Sequence, residues 1–267
     1  MNIISINDLN FKYKDKIIFK NLNLDIKENT ITTIMGKNGS GKTTLIKMLV
    51  GLIPSNNKIK FNDKIITNKN IKSIRKKIGI VFENPDNQFV GDTVLEDLVF
   101  TLENMKYKKK NIRNRVLEIV NYLKLENIVN EDPHSLTNNQ KQLVNLASAL
   151  IHEPKLLILD EAFTYLDPYD KDNIFNILQE LKKEGLTIII VTNDIEDTTV
   201  SDEIIVLNNQ NVYLNGKKEE IYKEEKKLRE LGFSLPFMVE LSNRLKFYGL
   251  IENTIYDMKE MVDTLWK

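Results

Sequence analysis

Apolar residues fall along this chain in two alternating patterns. Short unbroken runs at residues 31–35 (ITTIM), 78–82 (IGIVF), 156–159 (LLIL) and 186–192 (LTIIIVT) are rich in β-branched side chains, as expected of strands buried on both faces. Between them the spacing changes to three and four residues. Val94, Leu95, Leu98 and Leu102 follow it, then Ile112, Val116, Ile119, Val120 and Leu123, and later Ile174, Ile177, Leu178 and Leu181. This predicts helices over about 93–153 and 171–183. Short apolar strands alternating with helices predict an α/β fold with a mostly parallel sheet, whose ligands gather at the carboxyl ends of the strands.

The flanks read differently. Strand-like runs at 3–6 and 17–26 surround a polar turn at 14–16, and 58–66 reads as a hairpin arm. Residues 203–216 predict a second hairpin turning within 208–211, where Asn tolerates left-handed backbone. Beyond 217 the chain is helical and charged, broken at 232–236. An apolar face through Leu231, Phe237, Leu241 and Leu245 there predicts either a stabilising cap or subunit contacts. The expected organisation is one domain over 1–216, with a helical insertion at about 88–153, and a helical extension over 217–267.

Where strand 31–35 gives way to a leucine-rich stretch, the chain reads GKNGSGKTT, which matches G-x-x-x-x-G-K-[ST] on Gly36, Gly41, Lys42 and Thr43. Gly36, Gly39 and Gly41 admit backbone conformations closed to residues with a Cβ. The N–H groups of this loop, which also holds Lys37, Asn38, Ser40 and Thr44, can then converge at the positive end of the new helix. Lys42 is expected to reach the β- and γ-phosphates of a nucleotide, and the Thr43 hydroxyl to take a Mg²⁺ ligand position. A phosphate loop also needs an acidic site. Strand 156–159 closes on Asp160 and Glu161, which suit metal binding and the polarising of attacking water, respectively; the alternative is a pair that caps the next helix. The guanine-reading N-K-x-D pattern is approached only at Asn68-Lys69-Asn70, which lacks the acid and disfavours a simple GTPase.

Composition narrows the picture further. Lys+Arg and Asp+Glu both number 38, and a formal net charge of zero argues against a nucleic-acid binder. The absence of Cys excludes disulfides, Cys-ligated zinc and thiol catalysis. The start MNIISIND has no basic stretch or long apolar core, so no export signal is expected. No apolar run approaches the roughly 18 residues of a membrane span, so any membrane role is expected to come through a partner.

The order of these segments over about 1–216 resembles an ATP-binding-cassette (ABC) ATPase. A finer resemblance is to the ATPases of energy-coupling factor importers, the CbiO-like group that drives vitamin and transition-metal uptake. It rests on FENPDNQFVGDTVLEDLVF (82–100), LEN (102–104), LILDEA (157–162) and LDP (166–168), with LRELGFSLPFMVELSNRL (228–245) and VDTLW (262–266) in the tail. The tail and the DEA form resemble the first of the two paralogous ATPases of such importers. The resemblance implies a P-loop NTPase with an N-terminal antiparallel β subdomain, a helical insertion and a C-terminal helical extension, working with ATP and Mg²⁺ at the cytoplasmic face of the membrane. It implies three partners: a paralogous ATPase in a heterodimer, an integral membrane coupling subunit, and a membrane subunit that binds the substrate. It makes Tyr13 the aromatic that stacks on adenine, where the local pattern alone gives a half-buried strand aromatic, and Asp167 the residue that reaches toward the partner cassette. The resemblance also implies that ATP lies between the phosphate loop of one subunit and the signature of the other.

Three positions depart from that family's pattern. Glu83 stands where the family has Gln and would still bind Mg²⁺. The LSGGQ signature reads LTNNQ: Thr137 keeps a hydroxyl and Gln140 is retained, while Asn138 and Asn139 add Cβ atoms where two glycines allow close approach, Asn being the least costly replacement if left-handed backbone is needed. Asn193 replaces the switch His and lacks its reach to the γ-phosphate, a loss of on the order of 10²- to 10³-fold in analogous sites. A homodimer would repeat both defects in each site, so a heterodimer is expected, with the faster site holding the partner's ATP. A regulatory half with little or no hydrolysis is the competing expectation, against which the retained Glu161 argues. A cassette of DNA repair or translation is a third, disfavoured by the neutral charge, the single phosphate loop and the lack of a long coiled-coil insertion.

Overall fold

A computed structural model describes residues 1–266. The first half of the chain runs β1 (Asn2–Tyr13), β2 (Lys16–Lys27), β3 (Ile31–Met35), α1 (Lys42–Leu49), β4 (Ile59–Phe61), β5 (Lys64–Ile65), α2 (Ile71–Arg75), β6 (Ile78–Phe82), α3 (Val94–Asn104) and α4 (Lys109–Tyr122). It continues through α5 (Asn138–Leu150), β7 (Leu156–Asp160), α6 (Pro168–Lys183), β8 (Thr187–Thr192), β9 (Glu203–Asn208) and β10 (Asn211–Lys217). Four helices end it: α7 (Lys218–Lys223), α8 (Glu225–Glu230), α9 (Phe237–Phe247) and α10 (Met258–Leu265).

The strands form two sheets. One is antiparallel, in the order β2-β1-β4-β5; the other is β10-β9-β3-β8-β7-β6, parallel from β9 to β6 with β10 antiparallel at its edge. In the second sheet the unbroken apolar runs resolve into two faces with a period of two. Leu157, Leu159, Ile188 and Ile190 pack with α3 to α6, whereas Leu156, Ile158, Ile189 and Val191 pack with α1 and the antiparallel sheet. Helix α1 therefore lies between the sheets, burying Leu45, Ile46, Met48 and Leu49. Its N-terminus faces the carboxyl end of β3.

Three details depart from the pattern reading. β1 does not stop near Ile6 but runs to Tyr13, because Asp8 and Asn21 take positive φ (48° and 50°) at register shifts and side-chain amides bridge the pair. Asn23 Oδ1 accepts from the Asp8 N–H at 3.0 Å and Asn10 Oδ1 from the Asn21 N–H at 2.9 Å, so residues that disfavour strands hold this one together. In α3, Leu95 is 39% exposed while Asp97 is buried, accepting from the Val90 N–H at 2.8 Å and from Ser148 Oγ at 3.0 Å. In the C-terminal helices Leu231 is buried but Phe237 is 58% exposed. The expected hairpin at 203–216 is present, turning through Asn209 and Gln210, both at positive φ. Among the described residues no helix is long and apolar enough to cross a membrane.

Candidate active site

Parallel strands deliver their last residues to one rim. Register pairs Phe82 with Asp160, Asp160 with Val191, and Met35 with Thr192, so the residues that follow β3, β6, β7 and β8 emerge side by side: Gly36, Glu83, Glu161 and Asn193. The loop after β3 is tight. A Cβ at Gly36 would stand 2.6 Å from the Leu207 carbonyl oxygen; one at Gly41, whose φ is 104°, would stand 2.7 Å from the Phe19 ring. Lys42 is buried; its Nζ donates to the Gly36 carbonyl at 2.6 Å and lies 3.3 Å from Glu161 Oε1. One ammonium group thus joins the loop to the end of β7.

Glu161 sits in left-handed backbone (φ 53°), a conformation that costs of order 1–3 kcal/mol for a residue with a Cβ. Its N–H donates to the Val191 carbonyl at 2.8 Å, and its Oε2 accepts from the Asn193 N–H at 3.2 Å. Asn193 Nδ2 in turn donates to Asn38 Oδ1 at 3.2 Å. Behind it Lys171 Nζ bridges Asp194 (3.0 Å) and Asp197 (2.9 Å), which fastens the segment after β8 to α6. Asp160 is 7% exposed and its Oδ1 has no partner among the described residues. Burial, and then the neighbouring Glu161 carboxylate, push the Asp160 carboxyl up to about 6, while Lys42 pulls the other way.

A cleft of about 470 Å³ gathers Tyr13, Asn38, Gly39, Gly41, Lys42, Thr43, Thr44, Glu83, Glu161 and Asn193. Three residues not picked out from the sequence also line it: Lys16, Ile18 and Thr164. Lys16 was legible through the hairpin, since it pairs across the turn with Tyr13. Tyr13 is 45% exposed, edge-on to Phe11 at 4.8 Å. Gln142, also missed, is buried and donates through Nε2 to the Ala162 carbonyl at 2.9 Å, with the Phe82 and Glu83 carbonyls at 3.4 Å, so α5 holds both the β6 and β7 ends. Of the remaining loop residues, Ser40 keeps a buried Oγ without a partner among the described residues, and Lys37 Nζ lies 3.6 Å from where a Cβ at Gly232 would stand. A larger cleft of about 630 Å³, beside Arg115, Tyr122 and Thr187, gathers none of these residues.

Gly36, Lys37, Ser40 and Asp160 adjoin the lining residues in sequence without lining the cleft, and five further sequence-picked residues are elsewhere. Thr137, Asn138, Asn139 and Gln140 begin α5, where the Thr137 hydroxyl accepts from the Gln140 N–H at 3.3 Å and the Gln140 side chain accepts from the Thr137 N–H at 3.0 Å. Asn138 and Asn139 are helical and need no left-handed backbone. Asp167 is exposed and caps α6, accepting from the Asp170 N–H at 2.9 Å.

A family model described as ABC transporter matches residues 19–164. The energy-coupling factor transporter ATP-binding protein EcfA1 of Ligilactobacillus salivarius is 39% identical, over 99% of this chain and 95% of that protein. The chain belongs to the energy-coupling factor transporter ATPases. EcfA1 of Bacillus subtilis is 36% identical over 99% of this chain and 96% of its own length. A solved structure of cbiO1 from Clostridium perfringens, part of the ABC transporter complex cbiONQ, matches with a TM-score of 0.79 at 34% identity, covering 94% of this chain and 99% of that one. This energy-coupling factor ATPase is therefore a P-loop α/β enzyme of the ABC type that binds and hydrolyses ATP, and its relatives carry the name of the first paralogue.

Proposed function

We propose that this ATPase powers an importer of vitamins or transition-metal ions as one half of a heterodimeric cassette pair at the cytoplasmic face of the membrane. An integral coupling subunit would take up the movement, docking near residues 84–98, and a separate membrane subunit would choose the substrate. The observation that carries this reading is the division of the candidate ATP residues. Tyr13, the phosphate loop, Glu83, Glu161 and Asn193 share one cleft, whereas the α5 start at 137–140 and Asp167 lie outside it, where a helix N-terminus can meet a nucleotide carried by another subunit. The cassette would span 1–216 with its insertion at about 88–153. Helices within 217–267 would make subunit contacts; Lys267 itself lies outside the described residues.

In this reading Tyr13 stacks on adenine, Lys42 exchanges the Gly36 carbonyl and Glu161 for the β- and γ-phosphates, and Glu161, freed of Lys42, polarises the attacking water. Thr43, Asp160 and Glu83 would hold Mg²⁺. The partnerless, buried Asp160 Oδ1 fits such a cation. Among the described residues no group of three or more His, Cys, Asp or Glu side chains could hold a metal, which suits an ion shared with phosphate oxygens. Bound there, Mg²⁺ would neutralise charge on those oxygens. The competing reading, an ATP-binding regulatory half held inactive by Asn193 and LTNNQ, leaves unexplained why strained backbone places Glu161 beside Lys42.

The two sites are separable. In the reconstituted pair, Glu161→Gln is expected to leave most of the steady-state hydrolysis, and the equivalent change in the partner to remove it. The opposite pattern would assign the faster site to the ATP on Lys42.

A further inference from the structure

The segment that follows β8 carries Asn193 into the ATP cleft and then turns directly into contact with the C-terminal helices. Ile195 is buried in one apolar cluster with Ile221, Tyr222, Leu228, Leu231, Leu235 and Val239, and the same cluster contains Met35, the residue before Gly36. Polar contacts repeat the connection. Thr198 Oγ1 and Tyr222 OH lie 2.7 Å apart in the interior, and Lys218 Nζ donates to the Thr199 carbonyl at 2.8 Å. At the tip of the segment, Glu196 Oε1 accepts at 2.7 Å from the N–H of Phe237, the first residue of α9. That N–H belongs to the set a helix leaves unsatisfied at its start, and Pro236 before it has no N–H to offer.

We infer that Glu196 is a positioning residue for hydrolysis: by capping α9 it ties the switch segment to the C-terminal helices, and this tie holds Asn193 between Asn38 and Glu161. The inference rests on the reading of Asn193 and Glu161 as parts of the ATP site. Glu196 touches neither. It is three residues beyond Asn193, and its own N–H donates to Asp194 Oδ1 at 3.0 Å, so the turn between them is short and internally bonded. On this inference a shift of the α9 start is passed to Asn193 through that turn, in parallel with the Lys171 bridge that fastens Asp194 and Asp197 to α6.

The experiment uses the full transporter complex with the partner ATPase carrying glutamine at its own catalytic carboxylate, so that only the ATP on Lys42 turns over. Glu196→Ala is expected to lower kcat about tenfold with KM for ATP unchanged, as a misplaced group near the chemistry does. Glu196→Gln keeps a carbonyl oxygen to accept from Phe237 and is expected to stay within about twofold of the parent. Phe237→Pro removes the donor and leaves the acceptor: the first helical position tolerates proline, the preceding residue is already extended at ψ 145°, and the Phe237 side chain that is lost with it is 58% exposed. It is expected to match the alanine variant, and the double variant to lose nothing more. Glu161→Gln in the same background must stop turnover. If it does not, the reading of the site fails and the inference with it; if it does, but the alanine and proline variants stay within about twofold, the inference alone is overturned. Amide exchange in the ATP-loaded complex tests the tie without turnover. Glu196→Ala should speed exchange at both 193–199 and 237–240, and acceleration confined to 237–240 would reduce Glu196 to an ordinary helix cap.

Discussion

Asn193 donates from Nδ2 to Asn38 Oδ1 and from its backbone to Glu161 Oε2, each at 3.2 Å, so its side chain is engaged with the edge of the phosphate loop. An amide of this length spends its donor on Asn38, whereas an imidazole at the same Cα extends further into the cleft and carries a second nitrogen. Asn193→His is accordingly expected to raise turnover of the ATP on Lys42 by about tenfold or more, part of the 10²- to 10³-fold that a transition-state donor supplies. Single-turnover hydrolysis with the partner's catalytic carboxylate replaced checks it, and an unchanged rate would mean that Asn193 does not limit this site. At this scale the sequence was legible wherever the motif is itself the chemistry. Gly36 and Gly41 are required by contacts with Leu207 and Phe19, and a pattern that demands glycine there encodes those contacts without naming them. The positive φ of Glu161 was hidden, because it is imposed by the backbone bond to Val191 on a strand distant in sequence. The burial of Asp97 was hidden for a related reason: a carboxylate paired with the Val90 N–H and the Ser148 hydroxyl breaks the apolar spacing that a helical face is read from.

Helix α5 connects two scales, since its start holds residues 137–140 and its far end is followed by His152, which anchors it to β6. His152 is buried and its Nε2 lies 3.3 Å from the Ile78 carbonyl. Burial holds its imidazole below the ordinary value of 6.5, with the Ile78 and Ser148 backbone carbonyls opposing. The unfolded chain therefore takes up a proton at His152 as pH falls through 6.5, and the folded chain only at lower pH. More protons on the unfolded side mean that this contribution to stability is full above that value and is lost as pH drops below it. His152→Gln, which can still donate to Ile78 but does not titrate, should melt below the parent at about pH 7.5, with the gap closing toward about pH 5.5. A gap independent of pH would remove His152 from the account. The elements themselves were legible in proportion to how local their signals are. Helices α3 and α4 follow apolar periodicity and the strands of the parallel sheet are unbroken apolar runs, signals that reflect only their own neighbours. β1 was read too short because its continuation depends on amide bridges to Asn21 and Asn23 on the opposite strand, which no window along β1 contains.

Across the whole molecule, apolar packing joins what the sequence separates. One cluster fills the space between the antiparallel sheet, α1 and the parallel sheet, and another packs α3 to α6 on the opposite face, so the phosphate loop and the α5 start are mounted on different layers of one body. Such a body presents the cleft and residues 137–140 as separate surfaces, each of which, on the proposed reading, needs a counterpart from another cassette. If that counterpart were a second copy, both composite sites would combine Asn193 with two asparagines in the signature, and the two deficits would multiply. With a paralogue carrying His and LSGGQ, each deficit falls in a different site and neither site carries both. The isolated chain, saturated with ATP and Mg²⁺, is therefore expected to hydrolyse at least about 100-fold more slowly per site than the assembled pair, the loss of one or more transition-state contacts in every site it can form. Steady-state phosphate release measured over a range of chain concentrations makes the comparison, because a slow rate that rises with concentration marks weak self-association, and one that stays low at saturation marks the chemistry. A full rate from the symmetric pair would show that LTNNQ and Asn193 together suffice, and would transfer the need for a partner from the chemistry of the ATP site to the membrane subunits it drives.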